Sequence, residues 1–381
     1  MIHIKKEKVL IKPEDIKPSS NKFEILGTIN PAATRLPNGN ILLFIRVIEK
    51  LKKNDSNRYR YSPRFGGENK FKIKIDKFKK SEIVHQSDLD FSFKDETKRL
   101  TFISHFRKVI LDPSGFNILE IDNKPTFYGI KSDGEFGVED PRITKIGKTY
   151  YMTYVTLSKQ GNVSTNLAFS KDCEKWERKG TIFSTQNKDV VLFPEKINNY
   201  FFAFNRPEGN FQFSKPNIWL AASTNISYWG KNQPFILTKK IRWDSGRVGA
   251  GPPPIKTKEG WLFIYHGVVE EKIKDRSIIS YIEEVLGLDS SKIRDTYCAG
   301  AVLLDLKNPR KIIAKSHNPL LYPQKRSEKG TFEHKDVVFP TGIVIDRQEE
   351  DILLYSGGGD VVTTVRKILI SEILKKLERP N

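Results

Sequence analysis

The sequence predicts an all-β fold assembled from repeated four-stranded units, on three observations. Five short segments combine aromatic and β-branched residues between Gly, Asn, Pro or Lys turns: Ile41–Val47, Thr149–Val155, Tyr200–Phe204, Trp261–Val268 and Ile352–Tyr355. Two of them are followed by one pattern, in which Ser170-x-Asp172-x-x-x-Trp176 recurs as Ser223-x-Asn225-x-x-x-Trp229 at an offset of 53 residues. A strand, a second strand and a Trp-ended turn recurring at about 50 residues is what a four-stranded propeller blade generates. An ordinary β-sandwich with a chance repetition is the other arrangement compatible with it. Helical periodicity, finally, is sparse.

In chain order, the lysine-rich region from Lys50 to Lys80 and the stretch to Lys131 read as loops and less regular strands. Ser277–Leu288 is one helix candidate, between Lys-rich and Asp-Ser-Ser punctuation. The other is the C-terminal tail, where Ile368, Leu369, Ile373, Leu374 and Leu377 suit one face of an amphipathic helix over about 364–378. That face is also a candidate contact for pairing two copies. No linker rich in Gly, Ser or Pro divides the chain, so residues 1–381 read as one domain.

Bulk properties narrow the function. The 381 residues are 38% hydrophobic, with 24 Phe, 13 Tyr and 5 Trp, enough for a core. Lys and Arg number 65 against 46 Asp and Glu, a net charge of +19. Such an excess suits a nucleic-acid partner when it is clustered. Here it is dispersed in short runs such as Lys5-Lys6, Lys79-Lys80 and Lys375-Lys376, without RNP, zinc-finger or recognition-helix signatures. The reading is a solvated lysine-rich surface and no nucleic-acid partner. Cys173 and Cys298 lack CxxC spacing, which argues against a disulfide framework or a zinc site and fits a reducing compartment. The start, Met-Ile-His-Ile-Lys-Lys-Glu-Lys, has no apolar signal core, and no segment approaches the ~18 apolar residues of a membrane helix. A soluble, cytoplasmic protein with no membrane partner is expected.

Several charged clusters are hard to explain by folding alone. Gly137-Val138-Glu139-Asp140-Pro141-Arg142 sets two carboxylates and a guanidinium before an apolar strand, with a proline that discourages helix at Asp140. Such a cluster is costly to desolvate unless it is paired or employed. Lys188-Asp189-Val190-Val191-Leu192-Phe193-Pro194-Glu195-Lys196 follows, then Asn205-Arg206-Pro207. Arg247-Val248-Gly249-Ala250-Gly251 and Pro252-Pro253-Pro254 precede Gly260-Trp261-Leu262-Phe263-Ile264-Tyr265-His266-Gly267. Tyr297-x-x-Gly300-Ala301, Phe339-Pro340-Thr341-Gly342 and Tyr355-Ser356-Gly357-Gly358-Gly359-Asp360 complete the series.

As an ordered set from about Asn30 to Asp360, these motifs resemble glycoside hydrolase family 130, the β-mannoside phosphorylases and related β-mannosidases. The resemblance implies a five-bladed β-propeller with the site in its central funnel. It makes Asp140 the catalytic acid, delivering its proton through the sugar's 3-hydroxyl. It places Asn30, Arg46 and Asp360 on the non-reducing sugar, with Glu139 and Arg142 beside them, and Lys188, Arg206, Arg247, His266 and Tyr297 on inorganic phosphate. Lys188 and Arg247 stand where family members carry either Arg or Lys. These residue types suit the chemistry: an anion needs converging cations and donors, and phosphate, itself a nucleophile, needs no second carboxylate as base. An inverting hydrolase does need one.

The implied activity is inverting phosphorolysis of β-1,2- or β-1,4-linked manno-oligosaccharides to α-mannose 1-phosphate, with phosphate as co-substrate and no cofactor or metal. The alternatives are a β-mannosidase using Glu195, Glu208 or Glu333 as base, a mannosyltransferase, and a non-catalytic glycan-binding propeller. Structural roles stand beside the functional ones. Arg142 with Glu139 is also readable as a buried ion pair bracing a strand, and Asp140 as a turn residue. His266 reads equally as a core histidine and Arg247 as a surface residue before a Gly-rich turn, with Pro252–Pro254 a rigid loop and Trp176 and Trp229 blade packing. The chain departs from the family pattern at Ser356–Gly359, at Arg58–Arg64 with the insertion-like region that follows, and at Lys272–Arg294. Rim loops select the acceptor sugar, so its identity stays open.

Overall fold

The computed structural model describes residues 2–68, 70–209, 213–240, 242–274, 291–330, 335–346 and 350–379. The helix candidate Ser277–Leu288 lies outside them. Strand β1 (Ile4–Ile11) opens the chain and finds its partner only at the far end. Strands β2 (Phe23–Arg35) and β3 (Ile41–Leu51) form a hairpin about Pro37-Asn38-Gly39, where Gly39 at φ 90° takes the left-handed turn position. An insertion then supplies a two-stranded sheet, β4 (Tyr59–Phe65) with β5 (Ile73–Lys79). It also supplies a three-stranded one, β6 (Ile83–Gln86), β7 (Asp90–Phe93) and β8 (Lys98–Leu100). Strands β9 (Phe102–Leu111) and β10 (Ile118–Ile121) complete the first four-stranded sheet, in order β10-β9-β3-β2.

Two further four-stranded antiparallel meanders follow. One is β11 (Gly137–Ile146), β12 (Thr149–Ser158), β13 (Asn162–Ser170) and β14 (Glu177–Phe183). The next is β15 (Asn187–Leu192), β16 (Phe201–Pro207), β17 (Ile218–Asn225) and β18 (Tyr228–Ile236). The remaining strands join a ten-stranded sheet. One antiparallel run within it is β19 (Arg247–Ala250), the short β20 (Ile255–Lys256), β21 (Trp261–Lys274), β22 (Ser291–Leu304) and β23 (Ile312–Ser316), to which the short β27 (Leu377–Glu378) adds. The other is β24 (Lys335–Ile345), β25 (Asp351–Gly358) and β26 (Val362–Leu369), to which β1 adds as the last strand. Among the described residues, the strand pairing that joins the two runs is a short parallel one, Asp295–Tyr297 on β22 against Lys335–Val337 on β24.

Apolar side chains fill the junctions between neighbouring sheets. Phe44, Phe106, Met152 and Tyr154 lie between the first and second, and Leu167, Phe183, Leu192 and Ala203 between the second and third. Phe204 stacks on Phe263 at 4.0 Å between the third sheet and the β19–β23 run. Leu262 and Ile264 meet Ile352 and Leu354 between the two runs, and Leu353, Tyr355 and Val365 close on Ile41, Leu43 and Val109 of the first sheet. Each sheet is thus too thin to be stable alone and is held by its neighbours' apolar faces.

The Ser-x-Asp/Asn-x-x-x-Trp repeat marks the same hairpin twice. Trp176 Nε1 donates to Cys173 O (3.2 Å) and Trp229 Nε1 to Ile226 O (2.9 Å), each three residues back. Ser170 and Ser223 accept at Oγ from the backbone N–H of Asp172 and Asn225. All five strand cores expected from sequence lie in strands.

Two expectations need correction. Residues 362–369 are a strand, not helix, and the helix is a single turn, α1 (Ile370–Leu374). The β-branched run Val362-Thr363-Thr364-Val365 has ladder partners on both sides, β25 and β1, which outweighs the apparent 3.6 period. Ile368 and Ile373 are buried within the chain, and Leu374 and Leu377 pack against the same core. The stretch to Lys131 also holds a regular ten-residue strand, β9, disguised in sequence because its buried Ser104, His105 and Arg107 are polar.

Because β26 is central, Ile368 (0% exposed) has no route to relax when truncated. Ile368→Ala should lower unfolding stability by about 2–5 kcal/mol in a denaturant titration of the full chain.

Candidate active site

The first strands of the sheets approach one another: β2 packs on β11 and β24, β11 on β15, and β15 on β19. Several are bulged at the point of approach. Register shifts occur between Ile29 and Ala32 on β2, Glu139 and Arg142 on β11, Lys188 and Val191 on β15, and Pro340 and Gly342 on β24. Proline, with no N–H for the ladder, sits in three of these bulges, as Pro31, Pro141 and Pro340. The residues Asn30 (φ 48°), Asp140 (φ 48°) and Asp189 (φ 52°) take left-handed backbone there, which short polar side chains tolerate best. The bulge re-aims each of these side chains toward a common cavity of about 280 Å³.

Nine of the eleven residues singled out above line that cavity: Asn30, Arg46, Glu139, Asp140, Lys188, Arg206, His266, Tyr297 and Asp360. They divide into two hydrogen-bonded groups. In the first, Asp140 Oδ1 accepts from Asn30 Nδ2 (2.8 Å) and from Arg46 NH1 (3.0 Å). Arg46 NH2 also pairs with Glu139 Oε1 (2.5 Å), and its Nε reaches Ser104 Oγ (3.3 Å). Burial favours neutral Asp140, but Arg46, Arg142 and the Asn30 hydrogen bond outweigh it and hold the carboxyl below its ordinary range. Burial likewise works against charge on Arg46, and Glu139 with Asp140 outweigh it.

In the second group Arg206 NH1 lies 2.5 Å from Asp189 Oδ2 and 3.0 Å from His266 Nε2, while NH2 binds Glu208 Oε1 (2.6 Å). Arginine has no acceptor, so His266 Nε2 must accept and the ring carries its proton on Nδ1. Burial, reinforced by Arg206, Arg142 and Arg247, keeps His266 well below the usual histidine range and therefore neutral. Its ring packs on Tyr297 and edge-on to Phe339. Lys188 adds a cation whose field reaches both Asp140 and Glu208.

Arg142 and Arg247 do not line the cavity. Arg142, 1% exposed, lies behind Asp140: NH1 donates to Asp140 O (3.0 Å), Nε to Gly251 O (2.7 Å), and NH2 stands 3.6 Å from Asp189 Oδ1. It braces rather than contacts, and its acidic partner is Asp189, not Glu139. Arg247 NH2 holds both Asp295 Oδ2 (2.6 Å) and Tyr297 OH (2.6 Å), and NH1 lies 3.3 Å from Glu270 Oε1, so it orients the phenol from outside the cavity.

Sequence reasoning passed over Asp189, which lines the cavity, and Glu208, Glu270 and Asp295 as partners of its cations. Asp189 lay inside a motif that was noted, but without the proline that marks the bulge at Asp140. The apolar wall includes Leu89, from the insertion, and Phe102 at the start of β9, both in the stretch read as irregular. Of the candidate bases, Glu195 is half-exposed against Lys256 away from the cavity and Glu208 is bound to Arg206. Glu333 lies outside the described residues.

Carboxylates and cations thus share one cavity of an all-β scaffold, an arrangement that suits glycoside processing. A family model described as beta-1,4-mannooligosaccharide phosphorylase matches residues 93–379, and the chain belongs to glycoside hydrolase family 130. It is 33% identical over 378 residues to the beta-1,2-mannobiose phosphorylase of Listeria innocua serovar 6a, covering 98% of this chain and 97% of that one. It is 35% identical over 261 residues to a 1,2-beta-oligomannan phosphorylase of Thermoanaerobacter sp., covering 68% and 77%. The structure of beta-1,2-mannobiose phosphorylase from Listeria innocua, in complex with beta-1,2-mannobiose, superposes with a TM-score of 0.81 at 31% identity, covering 96% of each chain.

The buried histidines set an acid limit on stability. Burial keeps both His266 and His105 below the usual histidine range in the fold. Below about pH 6.5 the unfolded chain protonates them and the folded chain does not, so stability is present above that pH and lost as pH falls through it. The expected slope reaches about 1.4 kcal/mol per pH unit for each histidine. Urea midpoints measured between pH 7 and pH 5.5 should fall, and His105→Gln, remote from the cavity, should flatten the fall.

Proposed function

We propose that this protein is an inverting β-mannoside phosphorylase, taking manno-oligosaccharide and inorganic phosphate to α-mannose 1-phosphate and a shortened mannoside. The observation that carries the reading is the division of one cavity between an acid group centred on Asp140 and a donor group of Lys188, Arg206, His266 and Tyr297. Among the described residues, no proposed carboxylate base stands free across from Asp140. A hydrolase needs such a base to activate water, whereas phosphate brings its own nucleophilic oxygen. The whole-length relative from Listeria is a β-1,2-mannobiose phosphorylase, which favours the β-1,2 linkage over β-1,4.

On this reading Asn30, Arg46, Glu139 and Asp360 bind the non-reducing mannose. Phosphate sits against Lys188 and Arg206, with neutral His266 and the Tyr297 hydroxyl as further partners. A phosphate oxygen attacks the anomeric carbon from the face opposite the leaving group, the C1–O bond breaks, and the departing oxygen takes a proton from Asp140 through the sugar's 3-hydroxyl. Attack from the opposite face converts the β-mannoside to the α-phosphate. No metal or organic cofactor enters this chemistry. Arg142 and Arg247 act from behind, the first on Asp140 and the second on Tyr297.

We read the scaffold as a single five-bladed propeller. Support comes from the three four-stranded sheets, the two antiparallel runs of the ten-stranded sheet, and the apolar packing between each neighbouring pair. The last blade would then be closed by β1 pairing with β26, joining the two ends of the chain.

Incubation with β-1,2- and β-1,4-mannobiose, with and without phosphate, tests the assignment by NMR of the products. α-Mannose 1-phosphate should form only with phosphate, and faster from the β-1,2 disaccharide; free mannose formed without phosphate would overturn it. Asp140→Asn should cut kcat by about 10²–10⁴-fold while the far-UV spectrum is unchanged.

A further inference from the structure

We propose that Asp189 is the positioning residue of the phosphate subsite, fixing the guanidinium of Arg206 and tying it through Arg142 to the backbone of the acid. The proposal rests on the phosphorylase reading and gives a role to a residue that this reading leaves unused. Asp189 occupies in β15 the same bulged, left-handed place that Asn30 holds in β2 and Asp140 in β11. Three consecutive sheets therefore aim an Asn or Asp at the cavity from one backbone device. Two of them meet each other, through Asn30 Nδ2 and Asp140 Oδ1. The third serves the other group.

Its contacts define that service. Asp189 is 3% exposed, and its two oxygens face two different arginines, Oδ2 toward Arg206 NH1 at 2.5 Å and Oδ1 toward Arg142 NH2 at 3.6 Å. Glu208 takes the other end of the Arg206 fork at 2.6 Å. A planar guanidinium gripped at both NH1 and NH2 cannot rotate, so its orientation toward an incoming oxyanion is set before phosphate arrives. Arg142 carries the connection onward to Asp140 O at 3.0 Å. The neighbouring strand leaves room for this grip only by lacking a side chain. A Cβ on Gly249 would lie 2.2 Å from Asp189 Oδ2, 2.3 Å from His266 Cε1 and 2.4 Å from Arg206 NH1. A buried carboxylate between arginines seldom stabilises a fold more than apolar packing does, which favours a role in binding.

Two variants reach the same three groups by different routes. Asp189→Asn removes the charge and keeps the shape, and Gly249→Ala keeps every charge and displaces the grip. In full-length enzyme acting on β-1,2-mannobiose, each should raise KM for phosphate on the order of 10- to 100-fold, the loss of the close ion pair that orients the guanidinium. KM for mannobiose should stay unchanged. Asp189→Glu should recover part of the phosphate affinity. Calorimetric titration of inorganic phosphate should show the same loss without turnover. If either folded variant keeps the wild-type phosphate KM, or raises both KM values alike, the positioning role is wrong. Should Asp189→Asn fail to fold, Gly249→Ala decides alone. Wild-type enzyme that releases mannose without needing phosphate would instead remove the phosphorylase reading, and this inference with it.

Discussion

Arg142 is where the two halves of the site are joined, and its burial constrains everything around it. A guanidinium with 1% exposure loses its hydration and must find that many hydrogen bonds in protein. Arg142 finds them in backbone, at Asp140 O and Gly251 O, with Asp189 as its counter-ion. Those partners belong to three different sheets or their connections, so the arginine can be satisfied only when β11, β15 and the β19 turn stand in one arrangement. The bulges on β11 and β15 follow from the same demand. Without the extra residue in each, the carbonyl of Asp140 and the carboxylate of Asp189 would face into the ladders instead of toward the guanidinium.

The fold was legible where chemistry and periodicity agreed. Aromatic and β-branched runs marked β3, β12, β16, β21 and β25, and the Ser-x-Asp/Asn-x-x-x-Trp repeat marked one hairpin in two of the four-stranded sheets, because its hydrogen bonds are local. The tail misled, since Ile368, Leu369, Ile373, Leu374 and Leu377 together suit a helical face, while Ile368 lies on a strand and Ile373 on a single helical turn that bury each for separate reasons. Strand β9 was hidden for the opposite reason. His105 and Arg107 are polar by type but buried against Glu49, with His105 Nε2 2.9 Å and Arg107 NH2 3.3 Å from Glu49 Oε1. Hydropathy cannot register a charge whose partner lies some 50 residues away in sequence.

The site divided along a similar line. Residues carried by an ordered motif were named correctly as neighbours, and nine of them do share one cavity. What sequence could not supply was depth. Arg142 and Arg247 read like their companions yet stand one layer back, and the expected ring of cations loses Arg247 to that layer and His266 to neutrality. Residue type records what a side chain can do, and only the surrounding strands decide whether it touches substrate or holds something that does.

That layering bears on how a carboxyl held below its ordinary range can act as an acid. Arg46, Arg142 and Asn30 favour the charged form of Asp140. The field of Lys188 works in the same direction from the phosphate side of the cavity. Phosphate bound against Lys188 and Arg206 would spend that field on its own charge and set an anion near the carboxyl, and a mannose ring would exclude water from it. All three changes favour protonated Asp140. On the proposed reading the acid would be armed only when both substrates are present. A cavity filled with water instead of phosphate would leave those cations favouring the charged form of Asp140. On that reading, selectivity for phosphorolysis over hydrolysis would rest in part on cations that depress the acid until phosphate neutralises them.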